Sequence, residues 1–147
     1  MGTVQTLQVM AQLARSAATD PLFIQFAKQF QSLNDVEAFV RQNFRYRDER
    51  EEIVRDPRFM LSDMGRLDGG RIVELEGDCD DVSTLFAAFS KAIGYKARFV
   101  AIRYNPSNPN FEHVFTQAYD GGIWRVLDAT IESGTKLEWI EDIILEV

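Results

Sequence analysis

The second half of the chain constrains the fold most, because a strongly amphipathic helix is followed by three strand-like segments. Apolar residues recur at i, i+3, i+4, i+7 and i+11 from Val82 to Ile93, which predicts a helix over 79–93 that Gly94 ends. Three segments rich in β-branched and aromatic residues then predict strands: 97–104, 113–119 and 122–128. At 147 residues the chain has a common single-domain size, so we expect one domain over 1–147.

The first half predicts three helices and a long loop. Helical spacing predicts the first helix around 4–14, and an Asp20-Pro21 cap opens a second helix that runs to about residue 30. The third helix is predicted to open at Asn34 and to fade near residue 44. An irregular stretch from 45 to 76 predicts a long surface loop. The tail, 137–147, is predicted to be either a short strand or a helix.

Composition argues against several classes of function. The net charge is -7, so the chain lacks the basic surface that nucleic-acid binding requires, and we expect no nucleic-acid partner. Arginines and carboxylates alternate over 41–58, which predicts a solvated face of salt bridges. No apolar run approaches the ~20 residues of a membrane span, and no secretory signal is visible at the start. A single cysteine excludes an internal disulfide and suits a reducing compartment such as the cytoplasm.

That cysteine, Cys79, lies in the first turn of the predicted helix. Helix N-termini favour a thiolate, so the position predicts a thiol pKa below its usual ~8.5 and a residue ready for nucleophilic attack. The neighbouring Asp78, Asp80 and Asp81 oppose a thiolate by charge repulsion, so a cationic partner is needed. The alternative interpretation is that Cys79 is a small buried hydrophobic residue.

The single histidine, His113, begins a predicted strand, and hairpin geometry identifies its partner. A two-residue turn at 120–121 places His113 directly opposite Asp128, with the two Cβ atoms about 4.5–5.5 Å apart. A turn at 121–122 instead places His113 opposite Thr130 and leaves Asp128 as a diagonal neighbour on the same face. Either register predicts that the carboxylate lies within reach of the imidazole.

These residues supply the three groups of a thiol acyl-transfer site, with Cys79 as nucleophile, His113 as base and Asp128 as orienting acid. Two alternatives remain open. His113 can be a structural histidine, or Cys79, His113 and an aspartate can together hold a catalytic metal.

The order of these motifs resembles the transglutaminase-like superfamily of cysteine peptidases, from about residue 36 to residue 130. Four features carry the resemblance: Tyr46 after the early helix, Gly77-Asp78-Cys79-Asp80-Asp81, His113-Val114, and Trp124 followed by Asp128. The resemblance implies a papain-like α+β fold in which the nucleophile helix packs on an antiparallel sheet that carries the base and the acid. It also implies a cysteine peptidase or amidase that cleaves an amide bond in a protein or peptide through an acyl-enzyme.

The oxyanion hole is expected to use the backbone N–H of Cys79, with Tyr46 as a weaker candidate for the second donor. The acidic nucleophile motif is similar to that of bacterial and bacteriophage members, including a calcium-dependent peptidase group. No cofactor is expected, and calcium at Asp78, Asp80 and Asp81 is the alternative; Val82 excludes an EF-hand loop.

A second class of function stays open, in which the same fold is a non-catalytic assembly or binding component of a larger particle, such as a phage particle. We accordingly expect a cytoplasmic or virion-associated protein with no membrane partner.

Overall fold

The computed structural model describes residues 2–48, 53–65, 67–132 and 134–147. The helices in these ranges are α1 (Thr3–Thr19), α2 (Pro21–Ala27), α3 (Leu33–Asn43), α4 (Pro57–Asp63) and α5 (Cys79–Ala92). The strands are β1 (Phe44–Tyr46), β2 (Leu67–Asp68), β3 (Arg71–Ile72), β4 (Leu75–Gly77), β5 (Ala97–Arg103), β6 (His113–Asp120), β7 (Ile123–Leu127) and β8 (Glu141–Glu146). None of the helices in the described ranges combines the length and the apolar character that crossing a membrane requires.

The fold is α+β, with helices packed on a four-stranded antiparallel sheet of order β7-β6-β5-β8. Helix α5 lies at the centre: it packs against strands β5 and β6 and against α1, which itself contacts β5 and β8, and it also contacts α2, α3 and α4. Every residue of α5 from 81 to 90 is buried, because the helix is covered on all sides. The opposite face of the sheet carries a smaller cluster of Val100, Ile102 and Phe115 that the tail residues Leu137 and Trp139 cover.

Local capping explains where the N-terminal helices begin. The Asp20 carboxylate accepts the N–H groups of Leu22 and Phe23, and Pro21 fills the first helical position of α2, as the sequence predicted. Helix α3 begins earlier than predicted, because the Ser32 hydroxyl rather than Asn34 caps it by accepting the N–H of Asp35. Asn34 therefore lies inside the first turn.

The prediction of one long loop over 45–76 is wrong. This stretch contains α4, which Asp56 caps, and a parallel pairing of β1 with β4, two strands too short to show a periodic pattern. The predicted face of salt bridges is present in part: Arg45 with Glu74 at 2.8 Å, Arg47 with Glu76 at 3.0 Å, and Arg58 with Asp56 at 2.6 Å. The charged residues Glu49, Arg50, Glu51 and Glu52 lie outside the described residues.

The hairpin β6–β7 has the second of the two predicted registers. Asp120 pairs with Ile123, so the turn is formed by Gly121 and Gly122, whose φ angles are 59° and 92°. A tight hairpin turn of this kind needs positive φ at both central residues, which two glycines adopt without strain and Asp120 would not. The tail is a strand rather than a helix, since β8 pairs antiparallel with β5.

Candidate active site

Two aspartates that cap each other fix the turn that carries Cys79. The Asp78 carboxylate accepts the N–H groups of Asp80 (3.0 Å) and Asp81 (3.2 Å), and the Asp81 carboxylate accepts the N–H of Asp78 (3.0 Å). Cys79 is the first residue of α5, and its own N–H has no hydrogen-bond partner among the described residues. The cap therefore leaves one backbone donor unused beside the thiol.

Gly77 is required because Asp81 folds back onto it. The Asp81 side chain is fully buried and also accepts the N–H of Arg55 at 2.7 Å. A Cβ at position 77 would lie 2.3 Å from Asp81 Oδ2 and 2.6 Å from Asp81 Cβ, well inside van der Waals contact. Burial raises the pKa of the Asp81 carboxyl to about 7, although its backbone hydrogen bonds act in the opposite direction.

Gly77→Ala should accordingly destabilise the protein by about 1–3 kcal/mol, because the new methyl group displaces Asp81 from its cap. Guanidinium denaturation measures this free energy. Gly2→Ala is the comparison, since Gly2 has a negative φ of -76° and the nearest atom to its Cβ position lies 3.9 Å away, so this variant should lose much less stability. If Gly77→Ala unfolded at the same midpoint as the unaltered protein, the crowding argument would be wrong.

His113 and Asp128, the predicted base and acid, meet at the start of β6. His113 Nε2 lies 2.5 Å from Asp128 Oδ2, while Asp128 Oδ1 accepts both the N–H of Thr130 at 2.8 Å and its hydroxyl at 2.7 Å. Burial of Asp128 by itself would raise the carboxyl pKa, but the hydrogen bonds from His113 and Thr130 outweigh burial and lower it. An ionised carboxylate can accept but not donate, so Nε2 carries the hydrogen and Nδ1 is the ring atom left to accept a proton.

Two buried hydroxyl groups hold α5 against β6. Ser83 Oγ donates to the carbonyl of Val114 at 3.2 Å, and Thr116 Oγ1 donates to the carbonyl of Ser83 at 2.6 Å. These bonds cross between the helix that carries Cys79 and the strand that carries His113. They fix the two residues relative to each other.

Cys79 and His113 line one cavity of about 220 Å³, and Asp128 contacts the imidazole from behind. Asp80, Phe111, Glu112 and Val114 also line the cavity, and the first turns of α1 form one wall through Thr3, Thr6 and Leu7. The structure thus places the predicted nucleophile Cys79 and the predicted base His113 on one cavity, with the predicted acid Asp128 hydrogen-bonded to the imidazole; their catalytic roles stay a prediction.

The prediction of a lowered thiol pKa is wrong. Burial of the sulfur and the negative charges of Asp80, Asp78 and Asp128 together raise the pKa of Cys79 to about 12, although the backbone N–H of Val114 acts in the opposite direction. The Cys79 sulfur lies 4.0 Å from Asp80 Oδ1. Burial and three carboxylates outweigh the favourable end of the helix dipole, so the free site holds a thiol.

Tyr46 lies beside this turn, because β1 pairs with β4 and places Tyr46 next to Gly77. Its side chain is 56% exposed, and it is not among the described residues that line the cavity. Partial burial raises the pKa of its phenol, as do a Cys79 thiolate at high pH and the negative charges of Asp48, Asp78 and Asp80, so the hydroxyl stays a neutral donor at physiological pH. Its role in an oxyanion hole stays a prediction.

The three aspartates at the start of α5, Asp78, Asp80 and Asp81, do not fit the calcium alternative. The carboxylates of Asp78 and Asp81 are both engaged with backbone N–H groups of the cap rather than turned towards a shared centre. Over the residues that the structure describes, no group of three or more histidine, cysteine, aspartate or glutamate side chains converges as metal ligands would.

Sequence reasoning missed several residues that build the site. Thr130 follows Asp128 by two residues, a spacing typical of a local side-chain turn, and could have been found. Ser83 and Thr116 stand out as hydroxyl groups in otherwise apolar segments. Arg55 has no local signal, because its contact with Asp81 joins residues far apart in the sequence.

Comparison with known proteins agrees with this architecture. The chain matches two solved structures. One is a candidate cysteine protease from Cytophaga hutchinsonii, with 18% identity and a TM-score of 0.52, and the match covers 82% of this chain and 37% of that protein. The other is a candidate protease from Parabacteroides distasonis, with 13% identity and a TM-score of 0.60, and the match covers 96% of this chain and 28% of that protein. This chain thus spans about a third of the length of each. Among curated proteins, none matches the sequence significantly. The sequence profile of the transglutaminase-like superfamily matches residues 16–129, and the chain therefore belongs to that superfamily.

Proposed function

We propose that this chain is a thiol-dependent amide hydrolase, a cysteine peptidase or amidase that acts through Cys79, His113 and Asp128. One observation carries the proposal: the histidine that shares a cavity with Cys79 is held at 2.5 Å by a buried, ionised carboxylate. A histidine with only a structural role can satisfy its ring with a backbone carbonyl or water, whereas an ionised carboxylate also stabilises the imidazolium that forms when the ring takes up a proton. The two solved neighbours, described as candidate proteases, agree with the proposal.

The reaction uses the free Nδ1 of His113 as general base. As Cys79 Sγ attacks the carbonyl carbon of the amide, its proton passes to Nδ1, and Asp128 stabilises the imidazolium that forms. The imidazolium then gives this proton to the leaving amine as the C–N bond breaks, which leaves a thioester on Cys79. Water, deprotonated by His113, attacks the thioester and releases a carboxylic acid together with the original thiol.

The developing oxyanion needs hydrogen-bond donors. The N–H of Cys79 is unused by the cap and lies at the positive end of α5, which makes it the first donor. The Tyr46 hydroxyl is the candidate for the second donor, since Tyr46 lies on β1 opposite Gly77, two residues before Cys79.

The raised thiol pKa makes the transfer of the proton part of the attack itself. Between pH 7 and 9 almost all of the free enzyme holds the neutral thiol, because its pKa is about 12. Near neutral pH the thiolate therefore forms mainly during the attack on a bound substrate, when His113 accepts the proton. A site of this kind resists chance alkylation and oxidation, which both require the thiolate.

The alkylation of Cys79 by iodoacetamide should therefore rise continuously from pH 7 to pH 10.5 and reach no plateau below pH 9. Asp80→Asn removes the charge that opposes the thiolate most and should shift the rate profile to lower pH. Glu138→Gln makes the same charge change at an exposed residue and should leave the profile unchanged. A plateau below pH 9 in the unaltered protein would contradict the assigned electrostatics.

The proposal itself is tested with p-nitrophenyl acetate, a neutral acyl donor whose leaving group is coloured. A catalytic Cys79 should become acetylated and release a burst of p-nitrophenolate. Intact-mass spectrometry would detect the acetyl group, and the rate of the burst should depend on His113. Casein-derived peptides then test cleavage of amide bonds.

A non-catalytic binding or assembly component is the second candidate, and the buried, protonated state of Cys79 favours it. In that case the protein would give no burst, and the reaction of Cys79 with p-nitrophenyl acetate would be the same with and without His113.

A further inference from the structure

We propose that Arg41 is a positioning residue that holds the acid Asp128 in place from the neighbouring helix α3. This inference rests on the proposed function for the role of Asp128. Its structural content is that Arg41 fixes the backbone of residues Asp128 to Ile131, which we call the acid segment, and this can be tested separately.

The acid lies beyond the end of the sheet. The last paired residues of the β6–β7 ladder are Thr116 and Leu127, so Asp128 and the residues after it receive no hydrogen bonds from a neighbouring strand. A carboxylate at such a position has no regular structure to fix it. Something else must hold it within reach of His113.

Arg41 supplies the missing hydrogen bonds. Its Nη2 donates to the carbonyl of Asp128 at 2.7 Å, and its Nη1 donates to the carbonyl of Ile131 at 2.7 Å. Both bonds are short and charge-assisted, and the rigid, planar guanidinium fixes the separation of the two carbonyls. The two ends of the acid segment are therefore attached to the last turn of α3 by one side chain.

The surroundings of Arg41 favour a dedicated role. The side chain is 27% exposed, and its buried Nε has no hydrogen-bond partner among the described residues. Glu37 lies one helical turn earlier, and its carboxylate is 3.8 Å from this Nε. A guanidinium withdrawn from water loses hydration, and here its two strongest contacts both go to the acid segment.

Arg41 acts through position rather than through its charge. The groups that lower the pKa of Asp128 against its burial are His113 and Thr130, which contact the carboxylate directly. Arg41 contacts the backbone of the same residue instead. A lysine at position 41 would keep the positive charge but could not bridge two carbonyls with a planar fork.

The experiment compares Arg41→Lys with Arg125→Lys. Arg125 is a matched control, because it has nearly the same exposure (26%) and contacts the same Glu37 at 3.6 Å, yet bonds to neither carbonyl. Since His113 is the only histidine, the ¹⁵N NMR signals of its ring report the tautomer without assignment. Acylation by p-nitrophenyl acetate is measured on the same samples, with Asp128→Asn as the reference for loss of the acid.

We expect Arg41→Lys to lower the fraction of the Nε2–H tautomer and to slow acylation by about 10–100-fold, as a displacement of about 1 Å does. Arg125→Lys should leave both readouts unchanged. Arg41→Gln, which keeps one donor and no charge, should resemble Arg41→Lys and replaces it if the lysine variant does not fold.

The NMR and the kinetics separate the two possible failures. If the tautomer in both Arg41 variants equals that of the unaltered protein, the inference about Arg41 is overturned, whatever the acylation rates. If Asp128→Asn acylates at the unaltered rate while the Arg41 variants still change the tautomer, Arg41 positions the acid but the proposed catalytic function fails.

Discussion

Cys79→Ala should abolish the burst of p-nitrophenolate, and His113→Gln should reduce acylation on the order of 10⁴–10⁶-fold. The first change removes the nucleophile. The second removes the group that must accept its proton, and with a thiol pKa of about 12 very little thiolate forms without it near neutral pH. Rapid-mixing absorbance measurements, with intact mass to detect the acetylated enzyme, provide the comparison.

The control for these variants is stability. Cys79 is the first residue of α5, and its partly buried side chain is small, so Cys79→Ala should unfold at nearly the same denaturant concentration as the unaltered protein. Acylation of the His113→Gln variant at an undiminished rate would remove the catalytic proposal. Strong destabilisation by Cys79→Ala would instead support the interpretation of Cys79 as a packing residue.

Phe89→Ala should destabilise the protein by about 3–5 kcal/mol, the largest loss expected from a single core residue. Phe89 is fully buried on α5 at the centre of an aromatic cluster. The distances from its ring centroid to the neighbouring rings are 4.9 Å to Phe23, 5.0 Å to Phe30, 5.9 Å to Phe39 and 6.0 Å to Phe26. Truncation leaves a cavity where helices α2 and α3 meet α5. Denaturant unfolding followed by circular dichroism measures the loss.

Phe59→Ala is the matched control, because Phe59 is also on a helix but is 69% exposed. It should change the free energy of unfolding by less than about 0.5 kcal/mol. Equal losses from the two substitutions would show that the cluster around Phe89 is not the core that stabilises the fold.

The regular half of the fold was predictable because its signals are local. The apolar stripe of α5 and its end at Gly94 are visible in the sequence, as are strands β5, β6 and β7. The N-cap at Asp20 also follows from residue type alone. Both allowed hairpin registers placed Asp128 on the face of His113, so their proximity did not depend on which one formed.

The remaining features depend on contacts between distant residues. The pairing of β1 with β4 joins segments about thirty positions apart in a register that neither three-residue strand encodes. The thiol pKa was predicted in the wrong direction, because the helix dipole can be inferred from sequence, whereas the burial of the sulfur depends on how α1, α5 and β6 pack. The two carbonyls held by Arg41 belong to the same class of long-range contact.

The end of the β6–β7 ladder at Leu127 has a consequence for how activity relates to folding. Segments held by side chains rather than by a hydrogen-bonded ladder open locally, with a free energy below that of global unfolding. The acid segment is attached through Arg41 and through the contact of Asp128 with His113, whereas the histidine is part of a central strand. The proposed catalysis therefore depends on a local equilibrium of a few residues around Asp128, which substitutions there can weaken while the rest of the molecule stays fully folded.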